Sequence, residues 1–294
     1  MEGRQLPWIT LGDSNVWRNL GQDFPGIRQA FKGLAETMEK VFRRDLDELV
    51  GDSIAVYSTG RLACEDFVEI AFLAEHGYGV AALKLLRGIY ERTVVGRHIA
   101  SDPQEARRFF DYNIIDMEKF RNRAARVYTS DWEPLRDSED EKIYEQMRKQ
   151  FKYDPCENCG RSTQDSFTKH SLPALARKIG AGTMRLSDGT QKEITMEENY
   201  LLCASIPNAH VHASMWSFLQ RLRETSCGDV WNEDQSFQAK FALSSAHSNM
   251  PMVFESQNDF FKLRLETEIA ERVRDWHSLW RPSQSRPGSS ESVH

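Results

Sequence analysis

Arg87, Glu91, Asn208 and His212 are the residues of this chain whose types and spacing best fit chemistry. In the stretch Tyr78–Ala100, Leu83, Leu86, Tyr90 and Val94 share one narrow stripe at about 100° per residue. Arg87, Glu91 and His98 run along the edge of that stripe. Charged groups beside a buried face need partners, because burying them alone costs several kcal/mol. The segment around Pro207 offers them. There Tyr200, Ala204, Val211, Met215 and Phe218 make a core stripe, and Ser205, Asn208 and His212 share a second, polar face. Pro207 removes a backbone hydrogen bond and pushes Ile206 away from the α region, and such kinks sit beside polar sites. If the two faces meet, His212 is the general acid or base, Glu91 its orienting carboxylate and Arg87 an anion clamp. The alternative is a satisfied polar core in which Arg87 and Glu91 form a structural i, i+4 pair.

A second constellation is Cys156-x-x-Cys159-Gly160, half of a tetrahedral zinc site. His170 and Cys227 are the candidates to complete a structural zinc site, and plain loop thiols are the alternative. A metal held by Glu91, His98 and His212 or His210 would need those side chains to converge, and no H-E-x-x-H spacing supports it. Gly77-Tyr78-Gly79 imitates a dinucleotide loop, but a helical pattern precedes it where a strand is required, so it reads as a turn between helices.

Helices must position these residues. Phe31, Leu34, Met38, Val41, Phe42 and Leu49 recur at helical steps from Pro25-Gly26 to about Val50. Cys64, Phe67, Val68, Ala71 and Phe72 predict the core face of a helix over 54–75. Asp102, Pro103 and Glu105 fit an N-cap, a first helical position and a capping-box glutamate. They open a helix to about Tyr128 with Phe110, Ile114 and Met117 as its stripe. Ser138 and Glu141 make a second such pair. Ser171 to Ile179 is a short helix ended by Gly180, and Ser187-Asp188-Gly189 is a turn that joins two very short strands. Phe237–Ser248 and Asp259–Trp280 read as two further helices. The fold class is all-α, a bundle of about seven to eight helices. Residues 1–23 are an N-terminal arm, 24–281 one helical domain with an irregular insertion near 130–195, and 282–294 a disordered tail.

Composition narrows the function. No apolar run approaches the roughly 20 residues that span a bilayer, and MEGRQLPWIT lacks a signal core, so the expected location is cytoplasmic with no membrane partner. A net charge of −6 argues against a broad grip on nucleic acid, which leaves only the local basic stretch Lys119–Arg126 for it. Five cysteines, an odd number scattered over a long chain, read in the expected cytosolic setting as thiols or metal ligands and not as a disulfide framework.

Two resemblances follow. Arg92 to His98 and Arg272 to His277 have the Arg-x(4–6)-His spacing of the HEPN ribonucleases, helical bundles that act without metal. Chance supplies roughly two such spacings in a chain like this, and Thr93 and Val273 depart from the residue usual after that arginine. More specific are four ordered blocks: Ala81-Ala82-Leu83 with Arg87 and Glu91, Pro103 with Phe109 and Tyr112, Ser171-Leu172 with Ala176 and Gly180, and Tyr200 with Val211-His212-Ala213-Ser214. Together they resemble an all-helical bacterial family of unknown function over residues 30–225, with departures at the Cys156/Cys159 loop and Pro207. That resemblance implies no established activity and singles out Arg87, Glu91 and His212. Such proteins look like those near bacterial defence and toxin genes. The expected function is an effector hydrolysing a phosphate-containing substrate such as RNA. Its alternative is a non-catalytic interaction or sensor subunit, acting as a homodimer or within a complex.

Overall fold

Gly26, Gly51, Gly77 and Gly180 all take positive φ, from 55° to 101°, and each stands at a helix junction where the chain must reverse. The computed structural model describes residues 15–44, 47, 49–127, 138–152, 166–185, 191–212, 215 and 235–280. Between the reversals run α1 (Asn15–Asp23), α2 (Ile27–Phe42), α3 (Asp52–Glu75), α4 (Gly79–Ser101), α5 (Pro103–Val127) and α6 (Ser138–Gln150). Then come α7 (Leu172–Lys178), a hairpin of β1 (Ala181–Arg185) and β2 (Gln191–Thr195), α8 (Met196–Tyr200) and α9 (Ile206–Val211). The last two helices are α10 (Ser236–Phe261) and α11 (Glu266–Leu279). The fold is all-α apart from that hairpin, with more helical segments among the described residues than the seven to eight expected.

Helix α4 is the centre of the packing and lies mainly against α10 and α3. Its Leu83, Leu86, Tyr90 and Val94 are buried, as their spacing requires. They join Leu34 and Val41 of α2, Ala63 and Phe67 of α3, and Leu243, Met250 and Phe254 of α10 in the main core. Helix α1, within the expected N-terminal arm, adds Leu20 to this core. A second cluster, with Ile99, Tyr112, Ile115, Met147, Phe151 and Phe167, fills the space between the end of α4, α5 and α6.

Three expectations need correction. The stripe read for α3 is rotated: Val68 and Phe72 are 58% and 59% exposed, while Ile70 and Ala74 are buried. On α5, Phe110 and Met117 are likewise exposed and Tyr112 and Ile115 take the core. In both helices apolar residues cover more than one face, and the neighbouring helices choose between them. The break expected between Ser248 and Asp259 is absent. Helix α10 continues through Pro251, because Met250, Val253 and Phe254 are buried around it and offset an interior proline cost of about 3 kcal/mol.

Helix α11 is tied back to α10 by two indole bonds. Trp276 Nε1 donates to the Ser244 carbonyl at 3.0 Å, and Trp280 Nε1 to His247 Nδ1 at 3.1 Å. The second bond requires an unprotonated Nδ1. Burial, and then the nearby Arg272, pushes His247 down to about 3. The unfolded chain takes this proton more readily. The contribution of His247 to stability is therefore complete above pH 6.5 and is lost as pH falls from 6.5 to about 3. Urea unfolding of wild type and His247→Gln at about pH 7 and about pH 4.5 reads this directly. The stability lost between the two pH values shrinks in the variant; an unchanged loss excludes His247 as the acid-sensitive group.

Candidate functional site

Arg87 and Glu91 sit one turn apart on α4, at the edge of the buried stripe where the periodicity puts them. Their side chains are 42% and 51% exposed, with Arg87 Nε 3.9 Å from Glu91 Oε2. So exposed a pair contributes at most about 0.5 kcal/mol. The firmer contact is a hydrogen bond from Arg87 Nη1 to Asn208 Oδ1, which joins α4 to α9.

The approach of α9 to α4 follows from Pro207. A proline cannot donate to the carbonyl one turn back, and the chain ahead of it widens into a π-helical turn, Leu201–Ser205, closed by Ile206 N–H on the Leu201 carbonyl. The turn drives Cys203 and Ala204 into the core, against α10. Burial pushes the Cys64 and Cys203 thiols up to about 12, so both are structural and not nucleophilic.

No hydrogen bond or ion pair among the described residues links His212 to Arg87 or Glu91. Helix α9 ends at Val211, and His212 turns to extended backbone (φ −85°, ψ 146°) with its N–H on the Asn208 carbonyl at 3.1 Å. Its side chain is exposed, with no hydrogen bond among the described residues. Val211 and Met215 are exposed too, so neither continues the core stripe beyond Ala204; Phe218 lies outside the described residues. The sequence pattern assumed a helix continuing past residue 211, and the phase it assigned to His212 is lost where the helix ends.

Glu91 instead opens into a cleft of about 680 Å³. Its walls are Ile54, Ala55 and Ser58 of α3, Glu91 and Val95 of α4, one face of α5, and the segment from Ser166 into α7. The α5 face is the row Phe109, Tyr112, Asn113 and Asp116, at i, i+3, i+4 and i+7, with Phe110 beside it; the row is mixed aromatic and polar and legible in the sequence, but the more apolar Phe110–Met117 stripe outranked it there. Arg108 Nε and Nη2 donate to the Phe167 carbonyl at 3.2 and 3.0 Å and fix the far wall. Phe167 then meets Phe109 edge to face, with centroids 5.0 Å apart. Next to it the His170 N–H donates to Thr168 Oγ1 at 3.2 Å, which carries His170 to the cleft. Spacing marked His170 only as a zinc candidate, since nothing local tells that a loop will fold over α5.

Behind Phe167 lies His98, buried, its Nε2 3.5 Å from Glu105 Oε2. Burial lowers its pKa, and Glu105 opposes that in part. Glu105 therefore faces His98, while Asp102 alone caps α5 by accepting from Gln104 N–H at 2.9 Å. Arg92 pairs with Asp66 on α3. The first Arg-to-His spacing thus resolves into two unrelated pairs. The basic stretch is partly neutralised within α5, where Lys119 Nζ lies 3.4 Å from Asp116 and Arg121 Nη1 4.0 Å from Glu118.

Among the described residues no three His, Cys, Asp or Glu side chains gather as metal ligands, and no helix is long and apolar enough to cross a membrane. Cys156 and Cys159 lie outside the described residues. A family model described as a family of unknown function (DUF5677) matches residues 54–229, which is more than half of the chain. The match runs from α3 past His212 and includes the cleft face of α5, as the four ordered blocks led one to expect. No curated protein and no solved structure matches the chain. The resemblance to HEPN ribonucleases has no support beyond the two spacings.

Proposed function

We propose that this chain, which belongs to the family of unknown function DUF5677, is a non-catalytic helical sensor subunit that takes a small organic ligand in the cleft between α3, α4, α5 and α7. The carrying observation is the cleft itself. Its volume of about 680 Å³ suits a small ligand, and its walls combine aromatic and aliphatic side chains with polar ones, among them Glu91, Asp116 and His170. The Arg87–Asn208 bond gives one of the five guanidinium N–H donors a structural task, holding α9 to α4.

The test is thermal unfolding with a panel of amines, alcohols and carboxylic acids, on wild type and on Asn113→Trp. Asn113 is an exposed cleft residue, so the indole fills the cleft without entering the core. A ligand at about 100 times its Kd stabilises the wild type by about 2.7 kcal/mol, and Asn113→Trp loses the shift. Equal shifts in both proteins refute the cleft as the site.

A second reading is a cytoplasmic effector of bacterial defence or toxin type that hydrolyses a phosphate-containing substrate such as RNA. The gathering of Arg87, Glu91 and Asn208 beside the end of α9 favours it, with His212 just beyond. Expression toxicity of wild type against His212→Ala separates the two. Under the sensor reading the variant behaves as wild type, and loss of toxicity with the fold intact would support hydrolysis. Zinc at Cys156 and Cys159 is decided by elemental analysis of wild type against Cys156→Ser, with stoichiometric metal lost in the variant if the pair binds it.

A further inference from the structure

We infer that the ligand of the cleft is an organic cation, an ammonium group carried on an aromatic or apolar body. This rests on the reading of the cleft as a ligand site and names what it takes. Three features of the walls carry it.

The first is charge. Glu91 and Asp116 both line the cleft, and among the described residues no lysine or arginine does. Each carboxylate has one cation nearby, but loosely: Arg87 at 3.9 Å from Glu91 and Lys119 at 3.4 Å from Asp116, with both carboxylates more than half exposed. Such pairs contribute little and leave acceptor positions open. An anionic ligand would enter a cleft whose formal charges are both negative, and a neutral one would use neither.

The second is aromatic surface. A ring face carries partial negative charge and attracts cations. Two rings of this wall already hold protein cations: the Arg107 guanidinium lies 5.7 Å from the Phe110 centroid, and Lys119 Nζ 4.7 Å from that of Tyr112. Phe109 and Phe167 complete the wall as an edge-to-face pair. Ring and carboxylate thus favour the same sign of charge.

The third is fixation. Phe167 is held by its carbonyl on Arg108 and by Phe109, and the Thr168 hydroxyl holds the His170 backbone. The walls are set before a ligand arrives, which lowers the ordering cost of binding. An ammonium bonds to the carboxylates, and the apolar body lies against Phe109 and Phe167.

Isothermal titration of the full chain with three probes of one shape tests this: 2-phenylethylammonium, 2-phenylethanol and 3-phenylpropionate. The ammonium is expected to bind at least tenfold more tightly than the alcohol, and the carboxylate not at all. In the double variant Glu91→Gln, Asp116→Asn the ammonium falls to the level of the alcohol, whose own binding is kept. Both residues are exposed, so the variant folds, and its unfolding temperature verifies that. Alcohol or carboxylate binding that equals or exceeds the ammonium overturns the cation assignment and leaves the ligand-binding reading standing. Binding of the ammonium that survives both the double variant and Asn113→Trp places it elsewhere and overturns the assignment to this cleft. No binding of any probe at millimolar concentration overturns both readings.

Discussion

Gly79→Ala is expected to cost about 3 kcal/mol, at the upper end of ordinary overpacking penalties. Gly79 opens α4 where that helix meets the start of α10. A Cβ placed there stands 2.6 Å from the Ala239 nitrogen and closer still to the Gln235 carbonyl oxygen. Both are backbone atoms of the first turn of α10, so neither can swing aside as a side-chain tip does. Relief requires one helix to move, and α4 and α10 are packed along much of their length. The same junction holds the bond from Val80 N–H to Gln235 Oε1 at 2.9 Å, which that movement would break. Urea unfolding with an unchanged m-value is the measurement, and for a domain of this size the unfolding temperature falls by about 6–12 °C. Gly180→Ala is the control for position. Nothing lies within 4 Å of a Cβ at Gly180, and its φ of 95° brings only local backbone strain. A Gly79→Ala variant as stable as that control would mean the two helices are not in contact at this point.

Tyr90→Ala should cost about 4 kcal/mol, and Tyr90→Phe about 1–2 kcal/mol. Tyr90 is fully buried in the main core, lies edge to face with Tyr200 at 6.2 Å, and donates its hydroxyl to the Met196 carbonyl. Burial raises the pKa of that phenol, so it keeps its proton and the bond at neutral pH. The ring is the anchor and the hydroxyl the register. Removing the ring leaves a cavity against α8 and Tyr200; removing only the hydroxyl takes away the bond that ties the Met196 carbonyl to α4. Unfolding in urea for the three proteins separates the terms. If Tyr90→Phe matches wild type, the hydroxyl does not fix α8, and the support it lends to the π-helical turn and α9 must come from packing alone.

Both predictions concern α4, which the sequence describes better than any other element. Its stripe of Leu83, Leu86, Tyr90 and Val94 is buried and its edge residues Arg87 and Glu91 are half exposed. The pattern works because α4 is covered on several sides, so its longest apolar row has to face inward. On α3 and α5 the same reading selects Val68, Phe72, Phe110 and Met117, all exposed. There two rows compete, and the choice belongs to the neighbouring helices, which a single-helix pattern does not contain. For α10, Pro251 and the polar residues Asn249, Gln257 and Asn258 look like the end of a helix. They are buried within one, and Gln257 Nε2 donates to the Val56 carbonyl at 2.7 Å, a partner some two hundred positions away in the chain.

For the candidate site, sequence pattern identified Arg87, Glu91 and Asn208 and led to the correct joining of α4 with α9. It set His212 in the same group because a helical phase was carried past Val211, where the helix stops. It passed over Asp116 and Phe167, met Phe109 only within one of the four ordered blocks, and met His170 only as a zinc candidate.

By itself the sequence determined the all-α class, the turn at Gly77–Gly79 ahead of α4, the start of α5 at Pro103, and the buried stripe of α4. These follow from local chemistry: φ preferences, caps and the helical period act within a few residues. Only the tertiary structure decided that Glu91, Asp116, His170, Phe109 and Phe167 share one cleft. That depends on how α4 and α5 are rotated and on a loop near residue 167 held by Arg108, contacts between segments far apart in the chain whose geometry no local preference encodes.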